Sequence, residues 1–425
     1  MGATKLRVST TIVSILISII YVARQVNTSY ETNTFSKRSY AVSRGTKRSE
    51  GNYVVLDTEY SFLEHGNISS QTFTNVTFGG TNNEITLSIS NSDTTWVPQL
   101  PSSVTDFCSR NQQACAYADK SGYYRPNGVS RRDNFSILDS NFEESIDGYW
   151  VEDTAAAGGK AVTLGFGVAT SWKLRPFLGL GFKGVWNPDL PNDKEVHYEG
   201  NRTSIPPTYL DTLFQQGKIT SRTCSFYNII DTKSPGQIIL GAVDRDKFSG
   251  EFATYDWISL NGTSDFGGRI PDAPAARISN LIDPGNSTSY FRPPSDLTTQ
   301  ISPFFWGLYL PDYIFNPLTD ALKPFGAVGI DIGKKVSEGR NETVWSIPCD
   351  ASIPSNHVIE LKFSTVAIRI PLDDLIARDV RYTYGSASIS ACALFFYSHY
   401  EMAAYYASDP TKPDFPMILG GPFFK

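Results

Sequence analysis

At 425 residues, with 40% hydrophobic and 19% charged side chains, the chain has the apolar content to fold as two ordinary domains or one large bilobal body, which excludes a disordered chain. A net charge of −6 excludes the clustered cationic face that displaces counterions from nucleic acid, so no nucleic-acid partner is expected. Four histidines with no pair at metal-ligand spacing leave a zinc hydrolase nothing to build on, and no metal or cofactor is expected.

The chain begins with Lys5 and Arg7 ahead of an apolar run at 12–22, the charged and hydrophobic regions of a secretory signal, with cleavage expected after Ala23. The run is short for a membrane span, so membrane attachment is expected only if residues 1–23 stay uncleaved as a signal anchor. Residues 24–50 are polar and carry Lys37-Arg38 and Lys47-Arg48. They read either as a pro-segment ending near Arg48 by kexin-type processing or as an exposed basic linker. Eight N-x-S/T sequons, at Asn27, Asn67, Asn75, Asn134, Asn201, Asn261, Asn286 and Asn341, fit a glycosylated surface on a protein that is secreted or displayed at the cell surface.

Beyond Asn52 the strings at 53–56, 84–89, 162–168, 237–240, 358–363 and 366–370 alternate apolar and polar residues between Gly, Pro, Asn and Ser, the pattern of strands in hairpins. With 26 Phe, 22 Tyr, 7 Trp, 25 Pro and 33 Gly, the expected class is all-β with minor α. Two segments read as helix: 208–216, after Pro206-Pro207 and before Gly217, and 312–322, after Pro311. A loose duplication recurs around Leu178-Gly-Leu-Gly181 and Ile418-Leu-Gly-Gly421. It suggests two related lobes, 51–250 and 251–425, divided near 251–257.

Five cysteines fit an oxidising compartment. Cys108 and Cys115 are close enough for a small disulfide loop, Cys349 and Cys392 can clamp a longer excursion, and Cys224 reads as a buried free thiol.

Several motifs stand in one order along the chain. They are Phe166-Gly-Val-Ala169, Pro207-Thr-Tyr-Leu-Asp-Thr-Leu-Phe-Gln-Gln-Gly-Lys-Ile-Thr-Ser221 with Ser225-Phe-Tyr227, Gly236-Gln-Ile-Ile-Leu-Gly-Ala-Val-Asp244, Trp345-Ser-Ile-Pro-Cys349 and Ile418-Leu-Gly420. In this order they resemble the pepsin-like aspartic peptidase family, its fungal secreted branch in particular, from about residue 53 onward. The resemblance implies two β lobes around a central substrate cleft. Members of that family cleave peptides with two carboxylates, one per lobe, which share a proton because like charges so close cannot both ionise. Each carboxylate stands in an Asp-Thr/Ser-Gly turn.

In the first lobe, Leu87-Ser-Ile-Ser90 followed by Trp96-Val-Pro98 matches the family's strand and Trp-Val-Pro stretch. Ser90 then holds the aspartate position, in a turn one residue short. Asp93 is the rival, as a displaced carboxylate. In the second lobe, 301–311 aligns without gaps on the strand, turn and Tyr-Leu-Pro: Ser302 holds the aspartate position, and Pro303 and Phe304 replace the hydroxyl residue and the glycine. The rival there is Asp283 in Asp283-Pro-Gly285, against which stand the missing N–H of Pro284 and the sequon at Asn286. The first-lobe hairpin between Phe135-Ser-Ile137 and Gly148-Tyr-Trp150 lacks the family's Tyr, since 138–144 reads Leu-Asp-Ser-Asn-Phe-Glu-Glu.

The expectation is a secreted, monomeric pepsin-like protein without peptidase activity. Its cleft, with Trp96, Phe142, Phe305 and Trp306 as candidate lining residues, binds a peptide or protein. The alternatives are an active acid endopeptidase working through Asp283 and a displaced first-lobe carboxylate, and a structural cell-surface glycoprotein that kept the scaffold.

Overall fold

The structure is a computed structural model that describes residues 52–62, 70–80, 83–90, 94–110, 115, 121–127, 129, 131–132, 134–139, 144–172, 176–180, 206–227, 236–244, 269–270, 273–279, 290–293, 297–301, 307–337, 340–384, 387–398 and 417–424. The expected signal segment, the 24–50 segment, the division near 251–257, and Asn27, Asn67, Asn201, Asn261 and Asn286 lie outside the described residues.

The first half of the chain supplies ten strands: β1 (Val54–Phe62), β2 (Ser70–Phe78), β3 (Glu84–Ser90), β4 (Trp96–Pro98), β5 (Asn134–Asp139), β6 (Glu144–Ala157), β7 (Lys160–Ser171), β8 (Phe177–Gly179), β9 (Cys224–Tyr227) and β10 (Gly236–Leu240). They form one sheet in the order β5-β6-β7-β4-β8-β3-β2-β1-β10-β9. Alternation explains the burial: in β7, Val162, Leu164, Phe166 and Val168 are buried while Ala161 and Thr163 are exposed. Each fully buried Leu or Phe of this face contributes about 1.5–3 kcal/mol of transfer free energy. β6 and β7 join through Gly158-Gly159 with φ +55° and +73°, a two-residue turn that needs left-handed backbone twice. A Cβ on Gly158 would also lie 2.3 Å from the Val55 carbonyl oxygen.

The second half supplies β11 (Arg269–Ile270), β12 (Ala275–Ile278), β13 (Thr299–Ile301), β14 (Leu308–Leu310), β15 (Val328–Ser337), β16 (Arg340–Pro348), β17 (Val358–Phe363), β18 (Val366–Pro371), β19 (Ile376–Tyr384), β20 (Ala387–Leu394), β21 (Phe396–Ser398) and β22 (Met417–Leu419). They make three sheets, β11-β13-β22-β14-β21, β12-β17-β18 and β15-β16-β20-β19. Among the described residues no sheet draws strands from both halves. The protein is thus mostly strand with few helices, the expected bilobal all-β class.

Three α-helices are described: α1 (Val104–Arg110), α2 (Tyr209–Gln215) and α3 (Asp312–Leu322). α2 is capped by Thr208, whose Oγ1 accepts from the Asp211 N–H, and α3 starts directly after Pro311, as the start signals imply. Asp211 is buried but paired, 2.6 Å from Arg222 Nε, and the guanidinium also covers the Phe214 ring. α1 was not anticipated. Its short sequence carries no helical period, and its Cys108 is tied to Cys115.

Both expected disulfides, Cys108–Cys115 and Cys349–Cys392, are present, and Cys224 is a buried free thiol whose pKa burial pushes up.

Candidate functional site

The feature that both halves share is a strand pair with a third strand threaded between its members. In the first half β8 lies between β3 and β4, parallel to β3 and antiparallel to β4. In the second, β22 lies between β13 and β14, parallel to β13 and antiparallel to β14. A fourth strand runs parallel beyond each, β7 beside β4 and β21 beside β14.

The registers align these units residue by residue. Leu178 of β8 faces Ile89, and Phe177 faces Trp96. Leu419 of β22 faces Ile301, and Ile418 faces Tyr309. Matching Leu178-Gly179 to Leu419-Gly420 therefore sets Ile89 on Ile301 and Trp96 on Tyr309. Ser90 follows Ile89 as the last residue of β3, and in the sequence Ser302 follows Ile301, the last residue of β13. Between each serine and the matched residue Trp96 or Tyr309 the sequence holds 91–95 in the first unit and 303–308 in the second, so the first is one residue shorter.

Ser90 is half-buried at the end of β3 opposite Gly179, and its carbonyl accepts from the Leu180 N–H at 2.8 Å. The Gly179 N–H donates to the buried Thr95 Oγ1 at 3.0 Å, tying the short connection to the middle strand. In the second unit the matching residue is Leu308, which has no hydroxyl to offer.

Trp96, expected to line the cleft, does not. It is fully buried. It packs with Ile146, Trp150, Ala169 and Trp172 and meets Phe177 edge-on at 5.9 Å. Its Nε1 has no acceptor among the described residues. Asp93, Phe142, Asp283, Ser302, Phe305 and Trp306 lie outside the described residues.

The chain on either side of Asp283 is described. Ser279 donates its N–H to the Val358 carbonyl at 3.0 Å, and Phe291 pairs with Ala276 of β12. The described residues nearest Asp283 on either side thus bond to strands of the β12-β17-β18 sheet.

The first-lobe hairpin is β5–β6, paired up to Asp139 opposite Glu144. Ser136 Oγ donates to Asp147 Oδ1 at 2.6 Å within it. At its base the buried Tyr149 hydroxyl donates to Gln99 Oε1 at 2.9 Å, with Arg131 stacked on its ring. A polar pair missed by sequence reasoning stands behind it: the Tyr124 hydroxyl donates to Asp153 Oδ2 at 2.7 Å. Burial, then the bond and charge of Asp153, push the Tyr124 pKa up, so the phenol stays neutral and acts as a fixed donor. Among the described residues no three His, Cys, Asp or Glu side chains gather as a metal would require.

A charged cluster lies apart from these units. Arg277, Glu360 and Arg369 stand directly opposite one another across β12, β17 and β18. Buried Glu360 accepts from Arg369 Nε at 2.5 Å and from the Tyr290 hydroxyl at 2.8 Å, with Arg277 3.6 Å away. Burial alone would raise its pKa. The bonds from Arg369 and Tyr290 and the charges of both arginines outweigh this and hold it below the ordinary carboxylate value. A depressed carboxylate pKa stabilises the fold above the unfolded value and ceases to do so as pH falls through the folded one. Glu360→Gln should therefore cost about 2 kcal/mol at neutral pH, and the difference from wild type should narrow below about pH 4. Urea denaturation of both proteins across that range checks it; a gap that widens in acid would contradict the assignment.

The family model for eukaryotic aspartyl proteases matches residues 71–424. The acid protease of Saccharomycopsis fibuligera is 26% identical over 218 residues, 50% of this chain and 47% of that protein. Candidapepsin-3 of Candida albicans (strain WO-1) is 29% identical over 233 residues, 51% of this chain and 52% of that protein. Renin-2 of Mus musculus is 27% identical over 177 residues, 40% of this chain and 38% of that protein. The chain spans about half the length of the fungal relatives it matches, and less of the renin.

Proposed function

The chain belongs to the eukaryotic aspartyl protease family, and from that membership we propose that it is a secreted pepsin-like protein that binds a peptide or protein without cleaving it. The observation that supports this reading is the strand register, which matches Ile89 to Ile301, the residues that Ser90 and Ser302 follow in the sequence. The two serines stand at the positions from which the family's chemistry needs one carboxylate each: one to activate water, the other to protonate the peptide carbonyl. A serine hydroxyl does neither unaided, because it does not ionise between acid and neutral pH and needs a neighbouring base. The one described histidine, His357, is held by Asn356 Oδ1 at 3.0 Å and adjoins β17 in another sheet. Secretion is supported by the expected signal and by relatives named secreted aspartic protease.

The relatives' names also favour a second reading, an acid peptidase using Asp283 with a first-lobe carboxylate such as Asp93. The strands to which the nearest described residues on either side of Asp283 bond speak against it.

Purified protein and its Asp283→Ala variant, given a denatured protein substrate at about pH 3–5 with and without pepstatin, separate the two readings. No cleavage by either is expected. Pepstatin-sensitive cleavage that disappears in Asp283→Ala would overturn the serine assignment.

A further inference from the structure

Of the eight sequons, three have a described asparagine, and their places in the sheets differ. Asn75 is in β2, opposite Thr86 of β3, and β1 and β6 pair along the other side of β2 at 70–73 and 77–78. Asn341 is in β16, opposite Lys335 of β15, and β20 pairs with the far end of β16 at Ser346–Pro348. Asn134 opens β5, the outermost strand of the ten-stranded sheet, whose partner among the described residues is β6. Asn134 is exposed.

An outer strand presents a row of backbone donors and acceptors to any strand that comes alongside, and proteins guard such edges with lysine, proline, bulges or a covering segment. β5 reads Asn-Phe-Ser-Ile-Leu-Asp, with neither lysine nor proline. Its register with β6 runs unbroken from Asn134 opposite Tyr149 to Asp139 opposite Glu144, with no bulge to turn the edge aside. Three of its six residues are Phe, Ile or Leu, a composition that favours pairing with a second strand. The segment thus lacks the usual side-chain guards but carries an acceptor asparagine at its first position, with the sequon serine two residues on.

The folded hairpin is compatible with an attached sugar. Exposed Asn134 leaves room at the rim of the sheet, and Ser136, whose hydroxyl donates to Asp147, is not the residue that carries the glycan. At Asn75 the side-chain oxygen accepts from Thr86 Oγ1 at 2.7 Å, and a glycan on its nitrogen would leave that oxygen in place. A sugar there would stand on the face of an inner strand of the sheet, not on its outermost strand.

We propose that Asn134 carries an N-linked glycan and that this glycan shields the outer edge of β5, which has no partner among the described residues, from antiparallel pairing with β5 of a second copy. A two-fold pairing of identical edges is self-complementary, so it closes as a dimer. The inference rests on the secretion reading above, since the sugar is added only on that route.

The test is secretion of the full chain from a eukaryotic host that adds N-glycans. Glycopeptide mass spectrometry then scores site occupancy, and light scattering gives the solution mass of wild type, Asn134→Gln and Asn75→Gln. Asn134 should be occupied in the wild type. Asn134→Gln should shift toward twice the wild-type protein mass with rising concentration, while Asn75→Gln should match the wild type. An unmodified Asn134 beside glycans at other sequons overturns the inference and leaves secretion standing. So does association that is absent from Asn134→Gln or equal in both variants. Retention in the cell with no glycan anywhere overturns both. If Asn134→Gln is not secreted, trimming the glycans from folded wild-type protein replaces it, and unchanged mass after trimming overturns the shielding role.

Discussion

Replacing both Cys349 and Cys392 by alanine should lower stability by about 4 kcal/mol, against about 2 kcal/mol for the same change at Cys108 and Cys115. The difference follows from the separations, 43 and 7 residues, because a cross-link removes more entropy from the unfolded chain the longer the loop that it closes. The longer bridge is also embedded in a polar latch. Arg378 donates to the Cys349 carbonyl at 2.6 Å, to the Ala351 carbonyl at 2.9 Å and to Asp373 Oδ1 at 2.6 Å, so the turn after β16 is held to β19 and to the turn before it. Cys392 itself is fully buried beside Ile347, its partner across β16 and β20. Denaturant midpoints of the two double variants measure the effect, and equal losses would show that loop length is not what governs it. Cys224 does not complicate the comparison: buried and with its pKa raised, it should react with a thiol reagent only after unfolding.

The same disulfides show how far the sequence could be read. Their pairing followed from which cysteines were close and which spanned a long excursion, and the strand strings at 84–89, 162–168 and 358–363 followed from alternation. Those signals are local. What stayed hidden depends on pairing between distant segments. Trp96 follows a turn and precedes Pro98, which reads like a residue at the rim of a cleft. Its burial comes from Ile146, Trp150, Ala169 and Trp172, 50 residues and more along the chain, which pack against it. Glu360 sits in Val-Ile-Glu-Leu-Lys-Phe, where alternation puts Glu and Lys on the solvent side. Lys362 is exposed as that pattern says, but Tyr290, 70 residues earlier, lies against Glu360 and buries it.

The site shows the same division. That Ser90 stands where the family has an aspartate could be argued from the motif around Trp96-Val-Pro98, but the shortened turn left Asp93 in contention. The strand register supplies a measure that does not depend on aligning the turn: counted from their Leu-Gly pairs, β8 and β22 match Ile89 to Ile301, and a serine follows each in the sequence.

Gly148→Ala should be among the most damaging single substitutions in the first lobe, costing about 4 kcal/mol or more. A Cβ at Gly148 would lie 2.0 Å from the Val168 carbonyl oxygen, 2.8 Å from its carbon and 2.9 Å from Ala169 Cα. All three are backbone atoms, so no rotamer change relieves the overlap. The crowding arises because the β6–β7 register slips between Asp147 and Gly148, with Asp147 opposite Ser171 and Gly148 opposite Ala169, which leaves one extra residue on β7 and draws the strands together. β7 cannot retreat, since its far side pairs with β4 through Val97 opposite Val168 and Pro98 opposite Ala169, and Ala169 accepts from the Gln99 N–H at 2.9 Å. Moving β7 would pull on Trp96 and on the short connection that Thr95 ties to Gly179, so the damage should reach the Ser90 unit. Gly159→Ala is the matched control, with open space around the new methyl and a cost of about 1 kcal/mol from its left-handed φ alone. Urea midpoints of the two variants decide the matter: a Gly148→Ala protein within about 1 kcal/mol of wild type would mean that the strands can part here, and that the coupling from the hairpin base to Ser90 does not exist.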